Sequence, residues 1–548
     1  MSLQWLTRCV PILSSACLMI CVCSAGKQQP QQLAQTVVIL YCIFLHLAIL
    51  CGSIRSVWAM SYIRRQTLAV PHRRTDRNSH PEVVHAIIVP SYREDFDTLW
   101  TSLAVLPSHP RARAQYAIYL AMEMKERGCR EKAQRLIEIF APKFREIHSA
   151  FHPADLPGEM AGKSSNVAFA ARHILKAYQY ACQDEIRNTI VTVMDADIHI
   201  WQDYFSEIRR LHHLHRSSTS NRTFYSCPTV FDRNSRETPV LVGLADLSWA
   251  NGSISTMYPG GSIPTVIAVY SLPLTLVTRV SGWDTGATAI GEDIHMLLKC
   301  YLQTEGEMVY RTVYAPSSQC NVSSDSHRWW RLSVCRARYQ QALRHQWGAL
   351  DVGFVIRHFA RSLVLRRNWR LVQWRSLVLC HWIYVAHVMV DHVFVVQGFS
   401  IWCRFFASGA VSPALASTFW LMDRLLLASF VLSVVSTLLW RPWYRLCLEV
   451  RRGDMRRAGI SNVGFAALSK WTKDRILIIL CKPVSAVLYT LIPHFQAVVS
   501  HLWTERLDYR VSKKPSHKQG GGELNFLLLL NLSWKKCDYH YQMRALTR

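Results

Sequence analysis

Hydrophobic positions along this chain fall into two arrangements. Long, mostly uncharged runs lie near the N-terminus and again in the last third, whereas the middle has only short apolar stretches between charged ones. The run at 36–54 has 19 residues without a charge, enough to cross a bilayer as a helix. The shorter run at 9–25 ends in small residues and fits either a short helix or a cleaved signal peptide. Residues 1–65 are therefore predicted to be an N-terminal membrane segment.

A second block of apolar runs follows residue 350, and we predict an interfacial helix and a C-terminal transmembrane region over 351–515. Residues 352–374 mix apolar and arginine positions, which suits a helix on the membrane surface. The runs that follow are 376–402, 405–422, 425–440 and 475–503. If the basic stretches on both sides of the first three runs are cytosolic, the crossings between them must be even in number. The run at 405–422, which contains Pro413, is then predicted to be re-entrant or half of a hairpin. Residues 516–548 are predicted to be an irregular tail.

The middle of the chain, residues 80–350, is predicted to be an α/β domain. It has no uncharged run long enough to cross a membrane. Short β-rich stretches at 85–89 and 189–194 alternate with helical stretches such as 162–182, a pattern typical of an open, mostly parallel sheet. Because arginines follow the first spanning run, we expect this domain to be cytosolic.

Composition supports a mixed membrane and globular protein. The mean hydropathy is +0.06, yet 18% of the residues are charged. The net charge of +26 comes largely from basic residues beside apolar segments, at 55–74, 357–375 and 441–457. This distribution indicates anionic lipid as the partner, and no nucleic-acid-binding motif accompanies it. The 17 cysteines include no paired Cys-x-x-Cys unit, so neither a disulfide framework nor a zinc site is predicted.

Asp195 and Asp197 follow the apolar stretch 189–194 and are two residues apart. On an extended backbone both carboxylates point to one side. Two hard oxygen donors can hold Mg²⁺ or Mn²⁺, and the remaining positions can take the diphosphate of a sugar donor. His199 is either a further ligand or a bystander. An Asp-x-Asp pair is also common in solvated loops, and it is the preceding strand that favours a metal site here.

The strand predicted at 85–89 leads into Pro90, Tyr92 and Glu94, at the edge where an open α/β sheet binds ligands. Glu94 or Asp95 can accept hydrogen bonds from a nucleobase or ribose, although an ordinary acidic loop has the same sequence. Lys163 and Asn166 open the next long helical stretch, so Lys163 is either a phosphate contact or an exposed first-turn lysine.

Gly291-Glu292-Asp293 precedes another helical run. Asp293 is either a helix cap or a general base that removes a proton from an acceptor hydroxyl. As a base it must be ionised, with Glu292 and a nearby metal shifting its pKa in opposite directions. Gln341, Arg344 and Trp347 come shortly before the predicted surface helix. Arg344 can bind a diphosphate and Trp347 can stack on a sugar ring, while a basic and aromatic membrane-interface belt is the alternative.

Together these motifs resemble the family 2 glycosyltransferases, the group with cellulose, chitin and hyaluronan synthases, and especially a fungal branch of it. The resemblance covers about residues 80–350 and extends more loosely to Pro515. It implies a Rossmann-like GT-A domain flanked by transmembrane helices, a UDP-sugar donor, Mg²⁺ or Mn²⁺, and inversion at the anomeric carbon. It also implies polysaccharide synthesis, as in a cell wall, at the plasma membrane or a secretory-pathway membrane.

By this resemblance each motif takes a role. Asp195 and Asp197 match the metal-binding Asp-x-Asp, and Asp293 in Gly-Glu-Asp matches the catalytic base of Thr-Glu-Asp. Gln341 and Arg344 match the Gln-x-x-Arg-Trp motif that contacts diphosphate and acceptor.

The remaining correspondences are looser. Lys163 and Asn166 resemble the Lys-Ala-Gly-x-x-Asn segment. His345 stands where that family has tryptophan, and Trp347 comes two residues later. The Asp-Asp-Gly-Ser after the second strand is absent, and the nearest acidic residue is Glu123.

The sequence therefore predicts a membrane-bound inverting glycosyltransferase that moves a sugar from a UDP-sugar to a glycan acceptor. Two alternatives remain open at this point. One is a non-processive enzyme that glycosylates a lipid, since it needs the same donor chemistry. The other is an inactive relative that serves as a membrane assembly partner. This alternative is disfavoured because five motif residues are all present: Asp195, Asp197, Asp293, Gln341 and Arg344.

Overall fold

A computed structural model describes ten stretches of the chain. They are residues 3–25, 32–73, 82–160, 162–235, 238–258, 263–324, 329–366, 374–406, 411–460 and 475–507. The predicted tail at 516–548 lies outside the described residues.

The described residues form two β-sheets. The strands are β1 Val84–Ser91, β2 Tyr116–Glu123, β3 Glu146–His152, β4 Thr189–Met194, β5 His199–Ile200, β6 Thr223–Ser226, β7 Thr229–Phe231, β8 Val269–Pro273, β9 Val309–Thr312 and β10 Ser317–Gln319. The large sheet has the order β3-β2-β1-β4-β8-β6-β9, and the small one has the order β5-β10-β7. In the large sheet β3, β2, β1 and β4 run parallel, while β8 is antiparallel to both of its neighbours. The predicted α/β fold is confirmed. The sheet is mixed, whereas a mostly parallel sheet was predicted.

Helices complete the chain. They are α1 Leu3–Arg8, α2 Val10–Ala25, α3 Gln32–Ala69, α4 Phe96–Val105, α5 Ala112–Gln115, α6 Cys129–Phe140, α7 Lys163–Ala177, α8 Gln183–Arg187, α9 Asp203–Leu214, α10 Val240–Ile254, α11 Leu274–Arg279, α12 Glu292–Gln303, α13 Trp330–Gln346, α14 Leu350–Arg366, α15 Trp374–His387, α16 Met389–Phe406, α17 Pro413–Arg457, α18 Arg475–Ala486 and α19 Ile492–Ser500.

Both faces of the large sheet are covered, and this explains why its central strands are apolar on both sides. All six residues of β4 are buried. Along β1, Ile87 and Val89 pack into one core cluster while Ala86 and Ile88 pack into the other. Because successive side chains of a strand point to opposite faces, this run of β-branched residues can only form a central strand. The carboxyl ends of β1 and β4 therefore lie side by side at one edge.

The small sheet closes this edge from the other side. The N–H of Cys320, just after β10, donates to Asp197 Oδ2 at 3.2 Å. Gln319 Nε2 lies 3.4 Å from Asp195 Oδ2. The two aspartates are thus held between the main sheet and a second layer, rather than in a solvated loop.

Three helical stretches among the described residues are long and apolar enough to cross a membrane: Gln32–Ala69, Pro413–Arg457 and Ile476–Ser500. The pair Val378–His387 and Met389–Phe406 passes the same criterion together but bends by 55°. The run at 9–25 forms the shorter helix α2. The chain therefore has the helices of a membrane protein, as predicted.

The run at 405–422 does not form an element of its own. Pro413 is the first residue of a 45-residue helix that also contains the run at 425–440. Proline is well accommodated there because the N–H that it lacks would have no acceptor within the first turn of the helix. Ser412 Oγ caps this turn by accepting the N–H of Leu415 at 3.3 Å. The break lies earlier, between His387 and Met389.

The long helices are attached to the α/β domain at two levels. At the end of α17, Arg451 Nε lies 2.9 Å from Asp232 Oδ2, and both side chains are fully buried. Further along the helix, Ser436 Oγ lies 2.9 Å from Ser56 Oγ of α3 and from Asn251 Nδ2 of α10. These contacts hold α17 and α3 against the α/β domain.

Candidate active site

Lys163, the first residue of α7, lies at the centre of a group of carboxylates. Its Nζ is 2.7 Å from Asp195 Oδ1 and 2.8 Å from Glu292 Oε2. Asp195 follows β4 and Glu292 begins α12, so one ammonium joins three elements at the carboxyl edge of the sheet. The sequence left open whether Lys163 is an exposed lysine or a phosphate contact. Its side chain is only 20% exposed, so it is not an exposed first-turn lysine.

The electrostatics of this group are strongly coupled. Burial alone would lower the pKa of Lys163, but the carboxylates of Asp195 and Glu292 raise it well above its usual range. Burial raises the pKa of Asp195 and of Glu292, and Lys163 opposes the rise in each case. The lysine therefore offsets part of the free-energy cost of placing these two carboxylates next to each other.

Asp195 and Asp197 could hold a divalent cation only if a bound ligand and water supplied further oxygen atoms. The side chain of Asp195 is 25% exposed towards the cavity described below, and Asp197 also lines it. The described residues contain no cluster of three or more metal-ligating side chains. Mg²⁺ and Mn²⁺ accept such a site when phosphate and water oxygens complete the coordination. The donor set therefore fits a metal that arrives with a diphosphate.

Glu292 and Asp293 are adjacent but have different surroundings. Tyr270 OH donates to Glu292 Oε1, and Trp283 Nε1 donates to the same hydroxyl at 2.5 Å. With Lys163 on its other oxygen, Glu292 is buried and held from both sides. Asp293 Oδ2 lies 3.4 Å from the backbone N of Ala268, and its side chain lines the cavity.

Ala268 connects the two acidic motifs through its backbone. Its carbonyl accepts the N–H of Asp195 at 3.1 Å, while its own N–H faces Asp293. Its φ of 62° lies in the left-handed region, where a non-glycine residue is strained. A strained backbone conformation persists only where the surrounding contacts stabilise it. Here the contacts of Ala268 join Asp195 to Asp293. Sequence reasoning did not identify this residue.

A cavity of about 610 Å³ brings together the residues that the sequence singled out. Those that line it are Pro90, Tyr92, Glu94, Lys163, Asn166, Asp195, Asp197, Glu292, Asp293, Gln341 and Arg344. These residues come from five separate parts of the chain, so their convergence is a property of the fold. The cavity continues between the apolar helices, where Arg55, His381 and Lys482 also line it.

Trp347 lies elsewhere, because it packs into a separate apolar cluster. Its side chain is 3% exposed, and its Nε1 donates to the carbonyl of Glu505 at 3.1 Å. The aromatic wall of the cavity is supplied instead by Trp249 of α10, which stacks on His345 with ring centroids 4.8 Å apart. Trp249 carries no signal in the sequence, because it sits in an apolar helix far from any motif.

Glu94 and Glu123 differ in their access to the cavity. Glu94 lines it, accepts the N–H of Tyr92 on Oε2 at 2.5 Å, and has its pKa raised to about 7 by burial. Glu123 ends β2 but is fully buried, with His152 Nδ1 3.0 Å from its Oε2. Glu94 is therefore accessible from the cavity, whereas Glu123 is buried within the sheet.

A second buried hydrogen-bond network surrounds His295 on helix α12. His295, on α12, has Nδ1 2.5 Å from Asp351 Oδ1 and Nε2 3.0 Å from Asp284 Oδ2. Lys299 Nζ also reaches Asp284, at 2.6 Å. Burial would lower the pKa of His295, but the carboxylates of Asp351 and Asp284 raise it to about 9. The imidazolium thus ties α12 to α14, the helix that follows the Gln341 motif.

Comparison with known proteins agrees with the class of fold. Residues 190–444 match the family model described as glycosyl transferase family group 2, which is 255 residues and slightly less than half of the chain. No curated protein sequence matches this chain significantly. Together, the family match and the mixed α/β sheet support a family 2 glycosyltransferase with a GT-A-like domain, which transfers sugar from a nucleotide sugar.

Among solved structures, a mannosyltransferase from Pyrobaculum calidifontis, in complex with GDP-Man and Mn²⁺, is similar to 71% of this chain and 99% of its own. The sequence identity is 14% and the TM-score is 0.38, so no conclusion is drawn from this similarity.

The His295 network predicts a pH dependence of stability. The folded-state pKa of about 9 lies above the unfolded value near 6.5. The network's contribution, on the order of 3 kcal/mol, is therefore fully present below pH ~6.5 and is lost as the pH rises through about 9. We expect the gap in Tm between the wild type and His295→Gln to narrow over this interval, as measured by thermal unfolding in detergent.

His148→Gln is the matched control, because His148 is half-exposed and lies on the outer strand β3. Its Tm should follow the wild type at every pH. A gap between wild type and His295→Gln that stays constant from pH 6 to pH 10 would contradict the assignment.

Proposed function

We propose that this protein is a membrane-bound, inverting glycosyltransferase that moves a sugar from a UDP-sugar to a glycan acceptor with the help of Mg²⁺ or Mn²⁺. The observation that carries the proposal is the convergence of Lys163, Asp195, Asp197, Asp293, Gln341 and Arg344 on one cavity at the carboxyl edge of the sheet. This is the edge where open α/β folds bind ligands. The family match at 190–444 supports the same class of reaction.

The donor end of the cavity is proposed to bind the nucleotide diphosphate. A divalent cation held by Asp195 and Asp197 would neutralise charge on the departing diphosphate. Lys163 already neutralises Asp195 and Glu292, and it lies at a helix N-terminus, where backbone N–H groups favour anions. Arg344 lines the cavity from α13 and supplies a further cation for the diphosphate.

Asp293 is proposed to be the general base. It accepts the proton of the acceptor hydroxyl while that oxygen bonds to the anomeric carbon and the bond from this carbon to the diphosphate breaks. One displacement inverts the anomeric centre, so a single carboxylate is sufficient. Glu292 is unsuitable for this role because Tyr270 and Lys163 occupy both of its oxygens.

Two features of the apolar helices support a membrane setting with the α/β domain in the cytosol. The spans meet the length and hydropathy needed to cross a bilayer. Arginines at 55, 64 and 65 follow the apolar part of α3 on the side that leads into the domain. Because the cavity reaches these helices, a lipid acceptor is the second candidate, and the partition of labelled product between lipid and aqueous phases separates the two.

The first prediction concerns the donor. Protein in purified membranes should release UDP from one member of a panel of UDP-sugars, and only with Mg²⁺ or Mn²⁺. Asp195→Ala should reduce the release by about a hundredfold or more, because a ligand of the diphosphate's cation is removed. Asp184→Ala, an exposed aspartate on α8, is the control and should retain activity. Release that is unaffected by chelation of the metal would refute the metal-dependent mechanism.

The second prediction concerns Asp293. Asp293→Asn keeps the size of the side chain but cannot accept the proton, so kcat should fall by at least about a hundredfold while the donor KM changes less than about twofold. Steady-state kinetics with the donor identified above measures both values. Asp155→Asn, at an exposed position, should leave both unchanged. Strong residual turnover in Asp293→Asn would show that another group is the base.

A further inference from the structure

A lysine lies within one of the helices that can span the membrane. Lys482 belongs to the stretch Ile476–Ser500, and its Nζ donates to the carbonyl of Ser433 at 3.1 Å and to Thr437 Oγ1 at 2.6 Å. Both acceptors are neutral, and no carboxylate of the described residues forms an ion pair with it. Ionisable side chains are rare in membrane-spanning helices because removing a charge from water costs free energy. Where they occur, they commonly mark binding sites.

The surroundings of Lys482 form a polar ring contributed by four helices. Ser433 and Thr437 of α17 hold the ammonium, and Ser436, on the same turn, contacts Ser56 of α3 and Asn251 of α10. Ser433, Ser56, Asn251 and Lys482 all line the cavity.

The ring lies at the boundary of the apolar span. The uncharged run of α3 ends at residue 54, and Arg55 immediately precedes Ser56. The contact between Ser56 and Ser436 therefore places this part of α17, and with it Lys482, close to the level of Arg55. At this level the chain leaves the apolar layer, and oxyanions of acceptors or lipid headgroups can be reached.

Charges within the cavity are divided between its two ends. The carboxylates that line the cavity are those of Glu94, Asp195, Asp197, Glu292, Asp293 and Asp351, and Asp351 is paired with His295. Among the described residues of α3, α17 and α18 that line the cavity, the charged ones are Arg55 and Lys482, both basic. Lys163 contacts Asp195 and Glu292, so these two cations are separate from it. The charged groups that these three helices present to the cavity are therefore both positive.

We propose that Lys482 and Arg55 form a subsite for an oxyanion carried by the acceptor. This inference rests on the proposed function, because it assigns the helical end of the cavity to the acceptor. A uronate carboxylate of a glycan and the phosphate of a polyprenyl lipid present the same chemistry to these cations. The hydroxyl and amide groups of the ring supply hydrogen bonds to the sugar or phosphate oxygens beside it.

The acceptor probes are titrated in the absence of donor and metal, so their binding does not depend on catalysis, and UDP is titrated in a separate experiment. One pair of probes is a fluorescent tetrasaccharide of β-1,4-linked glucuronate and the matching neutral cellotetraose. The other pair is a polyprenyl phosphate and the matching polyprenol. Each is titrated into wild type, Lys482→Gln, Lys482→Arg, Arg55→Gln and the control Arg424→Gln, all in lipid nanodiscs. Arg424 lies on α17 and contacts Trp420 outside the cavity, so its loss removes equal charge without touching the ring.

We expect the acidic member of one pair to bind about ten- to a hundredfold more tightly than its neutral partner. Lys482→Gln and Arg55→Gln should each remove most of this preference, and Lys482→Arg and Arg424→Gln should retain it. The pair that responds identifies a glycan or a lipid as the source of the oxyanion. Using two separate cation variants keeps the test valid if one of them fails to fold.

Three results would overturn the proposal. These are equal binding of acidic and neutral members in both pairs, a preference that survives both cation variants, and loss of affinity for UDP rather than for the acidic probes in Lys482→Gln. The last result would assign the lysine to the donor. A protein that binds acidic probes through Lys482 but releases no UDP would instead support the subsite and contradict the proposed transfer reaction, so the two failures are distinguishable.

Discussion

The site depends on one electrostatic constraint: several carboxylates are gathered in a largely buried space, and a single lysine compensates two of them. Lys163 lies within 2.8 Å of both Asp195 and Glu292. Lys163 lowers the pKa of each of these carboxyl groups and so offsets part of the rise that burial causes. The same ammonium links the end of β4 to the start of α12, so charge compensation also fixes the geometry between Asp195 and the candidate base.

The apolar helices lie opposite that group and, in the proposed function, would hold the acceptor. The polar contact of Ser436 with Ser56 and Asn251 holds α17, α3 and α10 together. The buried pair of Arg451 and Asp232 anchors the far end of α17 to the small sheet. The cavity is consequently continuous from the carboxylates to the apolar helices, which is the arrangement expected of an enzyme that takes a water-soluble donor and a membrane-held acceptor.

Local patterns were sufficient to predict the elements that carry the motifs. The β-branched runs leading to Pro90 and Asp195 form central strands, because only a sheet covered on both faces can bury them fully. The division of α17 into two runs was wrong because Asp423 and Arg424 interrupt the apolar pattern. In the structure Asp423 pairs with Arg404 of α16 at 2.7 Å, so the helix continues through the charges. The places of Trp249, Ala268 and Lys482 depend on contacts between distant segments, which no local pattern encodes.

The measurement that tests the account most directly is calorimetric titration of UDP and Mn²⁺, separately and together, into the wild type and Asp195→Ala. If Asp195, Asp197 and a diphosphate share one cation, UDP should bind at least about tenfold more tightly with Mn²⁺ present, and Mn²⁺ should gain by the same factor from UDP. Asp195→Ala should abolish this coupling. Equal UDP affinity with and without Mn²⁺ in the wild type, or coupling that persists in Asp195→Ala, would contradict a donor site built around these carboxylates.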